Sequence, residues 1–297
     1  MELNTLLQYK PYSTARTEKR ALYAGLLTGL TQFHREHCPE YGRLLDALGC
    51  PAHMDCTVES TPMLPVSLFK ELELRSIPEG EVFKTITSSG TTGQRVSRIF
   101  LDGATSACQQ QALCQIMSDF LGERRLPFLV LDSRQVLRNR AMFSARGAGI
   151  LGFSIFGTRP CYALDEHMEL DLDGVRAFLE EHQGETIFLF GFTFIIWKHV
   201  VRALEERGER LDIPNGILVH GGGWKKLAGE AVSPGEFKAR VAAATGVERV
   251  SNYYGMAEQT GCIYMECPQG HLHASLWSDI VVRRGRDYRP CEPGEEG

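Results

Sequence analysis

The chain has 297 residues, 43% of them hydrophobic and 23% charged, which suits a large globular domain and argues against intrinsic disorder. With 32 basic and 37 acidic residues its net charge is −5, which argues against a nucleic-acid partner. Its longest apolar clusters, such as residues 187–197, are too short to span a bilayer. The N-terminus has no signal-peptide pattern, and the nine cysteines are scattered along the chain. Both features favour a cytoplasmic protein whose thiols are reduced.

Apolar periodicity predicts the elements in chain order, beginning with two helices between residues 15 and 48 and a short helix near residue 67. Strands are predicted over residues 82–87, 96–102, 127–132, 186–190, 216–220 and 249–254. Helices are predicted over residues 105–121, 169–183, 194–207 and 234–245. Strands that alternate with helices in this way predict an α/β fold with mostly parallel sheets covered by helices.

The domain organisation is expected to have three parts. They are a helical region over residues 1–60, an α/β domain over residues 61–262, and a β-rich subregion over residues 263–297. The final residues, CEPGEEG, have the composition of a turn that leads into another strand. We therefore expect that the chain is a fragment, or that a C-terminal part is missing from it.

Three glycine-bearing segments each follow a predicted strand: SSGTTG at residues 88–93, GGG at residues 221–223 and YG at residues 254–255. Ligands of open α/β sheets bind at the carboxyl ends of the strands, so we expect all three segments at one edge of one sheet. The first offers backbone N–H groups and four hydroxyls that suit a polyphosphate, although a plain surface turn has the same composition. The second permits the close approach of a flat ligand, or forms a tight strand-to-helix turn.

The third segment continues as SNYYGMAEQ, residues 251–259. An aromatic ring beside a glycine can cover a purine. Glu258 can bind Mg²⁺, which takes oxygen ligands, or it can be a solvated carboxylate in the first turn of a helix.

The three segments in this order resemble the adenylate-forming superfamily, which includes acyl-CoA synthetases, luciferases and peptide-synthetase adenylation domains. Longer stretches narrow the match: LPVSLFKELEL, FKTITSSGTTGQRVSRIFLD, LFGFTFIIW, HGGGWKKL and YYGMAEQTG. Together they resemble the acyl-protein synthetase (LuxE) family of the bacterial luminescence fatty-acid reductase, from about residue 8 onward. The resemblance implies that residues 61–262 are the nucleotide- and acyl-binding domain of an enzyme whose small C-terminal domain is missing from this chain. Such an enzyme uses ATP and Mg²⁺ to convert a carboxylic acid, here expected to be a fatty acid, into an acyl-adenylate.

The same resemblance implies that the acyl group then passes to a protein thiol, on an acyl reductase or a carrier protein. Two alternatives stay open: an acid–CoA ligase specific for aryl or phenylacetate-type acids, and a nucleotide-binding, non-catalytic component of a reductase complex. The ribose-binding aspartate, the catalytic lysine and the acyl-accepting cysteine of the relatives are expected beyond residue 297. Among the nine cysteines, Cys161 and Cys262 are candidates for an acceptor without a supporting pattern.

The resemblance also implies roles for individual residues. Contacts to ATP fall on Ser88, Ser89, Gly90, Thr91, Thr92, Gly93, Gly221, Gly222, Gly223, Asn252, Tyr253, Tyr254, Gly255 and Met256, with Tyr254 stacked on the adenine. The catalytic residues are Glu258, Thr91 and Arg95. Glu258 is expected to bind Mg²⁺. Arg95 takes the place of a lysine that usually follows the phosphate loop, and Arg98 is a second candidate for that positive charge. The acyl pocket is lined by Phe190, Gly191, Phe192, Trp197 and His220, with core packing as the alternative for the aromatic residues.

A zinc site is a further candidate in the segment CPQGHLH, residues 267–273. Cys267 and His273 can supply two ligands. A closed zinc site needs four, and clusters of this kind are more often packed or exposed without a metal.

Overall fold

A computed structural model of the chain describes residues 6–88, 95–138 and 145–297. These residues form two compact units. The first comprises Met1–Asp119, Gly255–Ile263 and Ala274–Gly297, and the second comprises Phe120–Tyr254 and Tyr264–His273. Among the described residues, no helix is both long and apolar enough to cross a membrane. The three-part division expected from the sequence stays a prediction.

The first unit is built from helices and a small sheet. Its helices are α1 (Arg16–His37), α2 (Pro39–Ala47), α3 (Leu68–Glu71) and α4 (Gly103–Leu121), the last of which ends just beyond the unit. Strands β1 (Lys84–Thr87) and β2 (Arg98–Leu101) pair antiparallel in a two-stranded sheet. Pro39 separates α1 from α2 because proline has no N–H to donate and suits the first turn of a helix. The predicted helices and strands of this region are confirmed.

The second unit contains a seven-stranded sheet with the order β4-β3-β5-β6-β7-β8-β9. Five parallel strands are β3 (Leu126–Ser133), β4 (Gly157–Leu164), β5 (Ile187–Phe192), β6 (Gly216–Gly221) and β7 (Arg249–Tyr254). Strands β8 (Tyr264–Glu266) and β9 (Leu272–His273) continue the sheet antiparallel. Every residue of β5 and β6 is buried, as expected for parallel strands that are covered on both faces. The predicted mostly parallel α/β fold is confirmed.

The helices of the second unit are α5 (Gln135–Arg138), α6 (Ala145–Phe153), α7 (Leu172–Glu181), α8 (residues 193–207) and α9 (Pro234–Thr245). Side-chain caps set two of the boundaries. Asp171 accepts the Gly174 N–H at 3.0 Å, so α7 begins three residues later than predicted. Ser233 accepts the Glu236 N–H at 3.1 Å at the start of α9. The middle of α8, Ile196–Val201, is a π-helix.

Strand β4 is an element that the sequence pattern does not predict. It lies at the edge of the sheet, and its first half is largely exposed and contains a proline, so it lacks apolar alternation. Its pairing with β3 depends on Gly157, because a Cβ there would lie 2.5 Å from the Cβ of Phe128. Phe128 in turn stacks on Phe188 of β5, with ring centroids 4.9 Å apart. Aromatic packing thus fixes the middle of the sheet.

The placement of the glycine segments differs in part from the expectation. The segments at residues 221–223 and 254–255 do follow neighbouring strands of the seven-stranded sheet. The SSGTTG segment follows β1, which belongs to the separate two-stranded sheet, so the expectation of one common sheet edge is wrong for it. The short, β-branched run before the loop predicts a strand correctly but carries no information on its partner.

Candidate nucleotide-binding site

The carboxyl ends of β6 and β7 bring two predicted nucleotide-binding segments together. Gly221 is the residue opposite Tyr253 in the parallel register, and His220 is opposite Asn252. The GGG segment and the NYY segment therefore lie side by side, as predicted for ligand-binding positions at the carboxyl ends of parallel strands.

Tyr253 and Tyr254 point to opposite sides of β7, as successive residues of a strand do. The Tyr253 ring packs inward, with its centroid 5.0 Å from that of Phe153, and burial raises its pKa to about 12. Tyr254 is 51% exposed. Of the two tyrosines, Tyr254 is therefore the more exposed, and its predicted stacking on the adenine stays a prediction.

Gly221 is required by the close approach of Tyr253. A Cβ at Gly221 would lie 2.5 Å from Cε1 of that buried ring, closer than real Cβ contacts. Gly222 has a φ of +76°, which favours glycine. A Cβ at Gly223 would have nothing within 4 Å. The three glycines thus have three different environments, and the packing reason for Gly221 holds whether or not a ligand binds.

We expect the substitution Gly221→Ala to lower the free energy of unfolding by about 1–3 kcal/mol, because the added methyl group overpacks the contact with Tyr253. Gly223→Ala is the matched control, since its methyl group meets no neighbour, and its unfolding curve in urea should overlay that of the wild type. Equal urea midpoints for both variants would contradict this reading of the segment.

A buried polar network supports the end of β7. Glu266 of β8 is 5% exposed; its Oε2 accepts the Asn252 N–H at 2.8 Å and its Oε1 lies 2.9 Å from Nζ of Lys238 on α9. The side-chain oxygen Oδ1 of Asn252 is buried without a hydrogen-bond partner within the described part of the chain. Buried acceptors are nearly always hydrogen-bonded, so an unpartnered one is unusual, and the contact of Asn252 with ATP stays a prediction.

His220 lies beside this network and is buried. Its Nδ1 is 3.0 Å from Oγ1 of Thr193, which donates its own proton to the Gly221 carbonyl at 3.2 Å, so Nδ1 carries the proton of the ring. Burial lowers the pKa of His220 to about 4; the Glu266 charge opposes this shift and the Lys238 charge adds to it. His220 is therefore a neutral residue that fixes the backbone at Gly221.

The aromatic residues predicted for an acyl pocket belong to the core of the second unit. Phe190, Phe192 and Trp197 are at most 6% exposed. Phe190 stacks on Phe153 at a centroid distance of 4.3 Å, and a Cβ at Gly191 would lie 2.9 Å from that of Leu131. Burial of this extent favours the alternative of core packing; the acyl-pocket role of these residues stays a prediction.

The predicted phosphate loop is described only at its two ends. Ser89, Gly90, Thr91, Thr92 and Gly93 lie outside the described residues. At the base of the loop, Oγ of Ser88 accepts the Ser97 N–H at 2.9 Å, and the Ser88 N–H donates to the Ser97 carbonyl at 3.2 Å. Arg95, a predicted phosphate contact, pairs with Glu71 at 2.6 Å, and both side chains are largely exposed. Exposed pairs contribute about 0–1 kcal/mol, so this one leaves Arg95 available to an anion.

Glu258 lies in a turn between Gly255 and Gly261 rather than in a helix. The alternative of a carboxylate in the first turn of a helix is therefore wrong. Met256, which is 37% exposed, accepts the Gln259 N–H with its carbonyl at 3.1 Å and so closes this turn. The role of Glu258 as a Mg²⁺ ligand stays a prediction.

The segment with the candidate zinc ligands is the turn between β8 and β9. The Cys267 N–H donates to the His271 carbonyl and the Gly270 N–H donates to the Cys267 carbonyl, both at 2.9 Å. Within the described ranges, no group of three or more His, Cys, Asp or Glu residues is placed to hold a metal ion. The role of Cys267 and His273 as zinc ligands stays a prediction.

Two buried ion pairs escape sequence reasoning. Besides Glu266 and Lys238, Asp132 at the end of β3 is fully buried and pairs with Arg146 of α6, whose Nε lies 2.9 Å from Oδ2. Each pair joins residues at least 14 positions apart, for which the sequence carries no periodic signal. The only hint is a single charged residue in an otherwise apolar predicted strand, as for Asp132 in PFLVLD.

Comparison with known proteins shows the family to which the chain belongs. A model of the family described as acyl-protein synthetase, LuxE, matches residues 2–297. The chain belongs to this family of acyl-protein synthetases. It is 20% identical, over 97% of its own length and 75% of the relative's, to a long-chain-fatty-acid–luciferin-component ligase of Vibrio harveyi.

Two solved structures of 2-hydroxyisobutyryl-CoA ligase have the same fold. One, in complex with 2-HIB-AMP and CoA, matches with a TM-score of 0.65 and 19% identity over 95% of this chain and 59% of the ligase. The other, in complex with R3-HIB-AMP, gives a TM-score of 0.60 and 16% identity over 95% and 58%. The chain therefore has the fold of an adenylate-forming ligase and spans less than two thirds of that ligase's length.

Proposed function

We propose that this member of the acyl-protein synthetase family activates a fatty acid with ATP, forming an acyl-adenylate and releasing pyrophosphate. A thiol of a partner protein then accepts the acyl group and AMP leaves. The observation that carries the proposal is the buried, unpartnered Oδ1 of Asn252 beside the exposed ring of Tyr254. The amino group of an adenine ring can donate a hydrogen bond to Oδ1 of Asn252, and the flat face of the ring can stack on Tyr254. The relative from Vibrio harveyi, named for a long-chain fatty acid, supports the choice of acid.

Each part of the chain then has a defined task. ATP supplies a good leaving group to a carboxylate that is otherwise a poor electrophile. Asn252 and Tyr254 hold the adenine, while Gly221, Gly222 and Gly223 leave space for the nucleotide backbone. Arg95 and the SSGTTG loop bind the phosphates, where charge builds up during the displacement. The chain's work is mostly to position the two reactants, which can lower a barrier by several kcal/mol.

Glu258 is assigned to Mg²⁺ in this scheme. A single carboxylate suits this ion, because Mg²⁺ keeps several waters and binds the phosphates of its substrate rather than a dedicated protein cage. The absence of a three-ligand cluster within the described ranges is compatible with a site of this kind.

The test is acid-dependent exchange of pyrophosphate into ATP by the whole protein. We expect exchange with aliphatic acids, and we expect Glu258→Gln to reduce its rate at least about 100-fold, because the substitution removes a charge that holds the metal. Glu248→Gln is the control and should keep the wild-type rate, because Glu248 is exposed and belongs to the second unit, whereas Glu258 belongs to the first. Exchange that occurs with aryl acids only, or binding of ATP with no acid-dependent exchange, would contradict the proposal.

A further inference from the structure

An apolar cavity lies in the first unit, and none of the aromatic residues predicted for the acyl pocket belongs to its lining. Its volume is about 250 Å³, and its lining is predominantly apolar. One wall is α1, with Leu26, Leu27 and Leu30, and a second wall is α4, with Cys108 and Ala112. Small-molecule sites in proteins are typically cavities of this character, with a few polar groups that orient the ligand.

The walls of the cavity are held together by specific contacts. The indole N–H of Trp277 donates to the Leu6 carbonyl at 3.0 Å, and the Tyr23 hydroxyl donates to the Leu276 carbonyl at 2.7 Å. Gly261, with a φ of +83°, lets the turn that contains it approach α4 so closely that a Cβ would lie 3.1 Å from Cα of Gln109. These contacts join five segments of the chain around one space, so specific interactions hold the cavity walls in place.

Polar groups are confined to a few positions of the lining. Thr105 and Gln109 lie one turn apart on α4, and Thr260 belongs to the turn opposite. An occupant with a long apolar part and one polar end matches this distribution. A volume of 250 Å³ holds about eight groups the size of a water molecule, or a straight chain of about eight carbons.

Chain connectivity relates this cavity to the proposed reaction. Thr260 follows Glu258, the proposed Mg²⁺ ligand, by two residues, so their Cα atoms are at most about 7 Å apart. Helix α4 begins two residues after β2, the partner of the strand that leads into the SSGTTG loop. The acid must place its carboxylate beside the ATP phosphates, and both segments proposed to bind those phosphates and their metal lead directly into the cavity walls.

We infer that this cavity binds the aliphatic chain of the carboxylic acid, with its walls formed by α1, α4, Trp277 and the turn at Gly261. The inference rests on the proposed function for the identity of the acid. It moves the acyl site from Phe190, Phe192 and Trp197 to a different unit of the fold. The cavity volume also sets the enclosed length of the acyl chain: about eight carbons lie inside, and longer chains extend out of the cavity.

The test is the binding of fatty acids of 4 to 14 carbons to the whole protein, measured by titration calorimetry without ATP. Each enclosed methylene should raise the affinity about fourfold, and the gain should stop near eight carbons. Cys108→Phe fills the cavity and should weaken octanoate binding at least about tenfold. Cys114→Phe is the matched control, with the same change on the same helix at a half-buried residue outside the lining, and should bind octanoate like the wild type.

The outcomes separate this inference from the proposed function. Wild-type octanoate affinity in the Cys108→Phe variant, or an equal loss in both variants, would overturn the inference, even where acid-dependent exchange proceeds. Octanoate binding that is lost only in Cys108→Phe would support it, even where no exchange is found. An affinity that rises evenly to 14 carbons in the wild type would also overturn it, and this measurement does not depend on the folding of any variant.

Discussion

Glu266→Ala is expected to lower the free energy of unfolding by about 3 kcal/mol. The substitution removes a buried carboxylate that pairs with Lys238 and accepts the Asn252 N–H. Breaking one half of a buried pair leaves the other charge without compensation, which typically costs about 3–5 kcal/mol. Partial exposure of the Lys238 side chain, at 28%, places the expected value at the lower end. Urea unfolding at neutral pH measures the loss.

The control for this prediction is Glu209→Ala, which breaks the pair with Arg176 in which both side chains are more than 40% exposed. Its cost should stay within about 1 kcal/mol. Glu266→Gln keeps an acceptor for the Asn252 N–H, so it should retain ATP affinity while it loses part of the stability. A cost for Glu266→Ala no larger than that for Glu209→Ala would show that the network contributes nothing beyond a surface pair.

The second large effect is a dependence of stability on pH that originates at His220. Its pKa in the folded chain is about 4, whereas its ordinary value is 6.5, because burial disfavours the charged ring. The unfolded chain therefore binds a proton below pH 6.5 that the folded chain does not bind until about pH 4. Stability is lost as the pH falls through this window, by about 2 kcal/mol between pH 7 and pH 5 and about 3 kcal/mol by pH 4.

Urea unfolding of the wild type and of His220→Gln at several pH values between 7 and 4.5 tests this effect. The free energy of unfolding of the variant should depend less steeply on pH, since glutamine does not titrate. Glutamine can still hydrogen-bond Thr193, so the contact itself is kept. Other groups contribute to the slope of both proteins, so the difference between them is the quantity of interest. His167→Gln is the control at an exposed ring and should keep the wild-type slope. Parallel curves for His220→Gln and the wild type would contradict the assignment.

Helices and strands that depend on residues close together in the chain are predicted well from the sequence. The strand at residues 216–220 and the helix at residues 234–245 are found with almost the predicted bounds, because apolar periodicity, Ser233 as a cap and Gly246 as a helix end are all readable in a short window. Strand β4 is missed because an edge strand with an exposed first half has no such pattern.

Some parts of the candidate site could likewise be predicted from the sequence, and others could not. The GGG and YYGMAE segments are recognisable because each is a short run of residues with a defined chemistry, and the register of β6 with β7 confirms that the first lies beside the NYY residues. The acyl pocket is a different matter. The motif FGF looks equally apolar whether its rings line a cavity or fill a core, and burial decides between these only in the folded chain.

The sequence by itself determined the α/β class, the family resemblance and the order of the segments predicted to bind nucleotide, since all three depend on residues close together in the chain. The tertiary structure alone decided that SSGTTG follows a strand of a separate sheet, that Glu266 meets Lys238 and Asn252, and that leucines of α1 face a cavity shared with Cys108. These are contacts between distant positions. They depend on how buried charges find partners and how apolar faces pack, and neither leaves a periodic trace in the sequence.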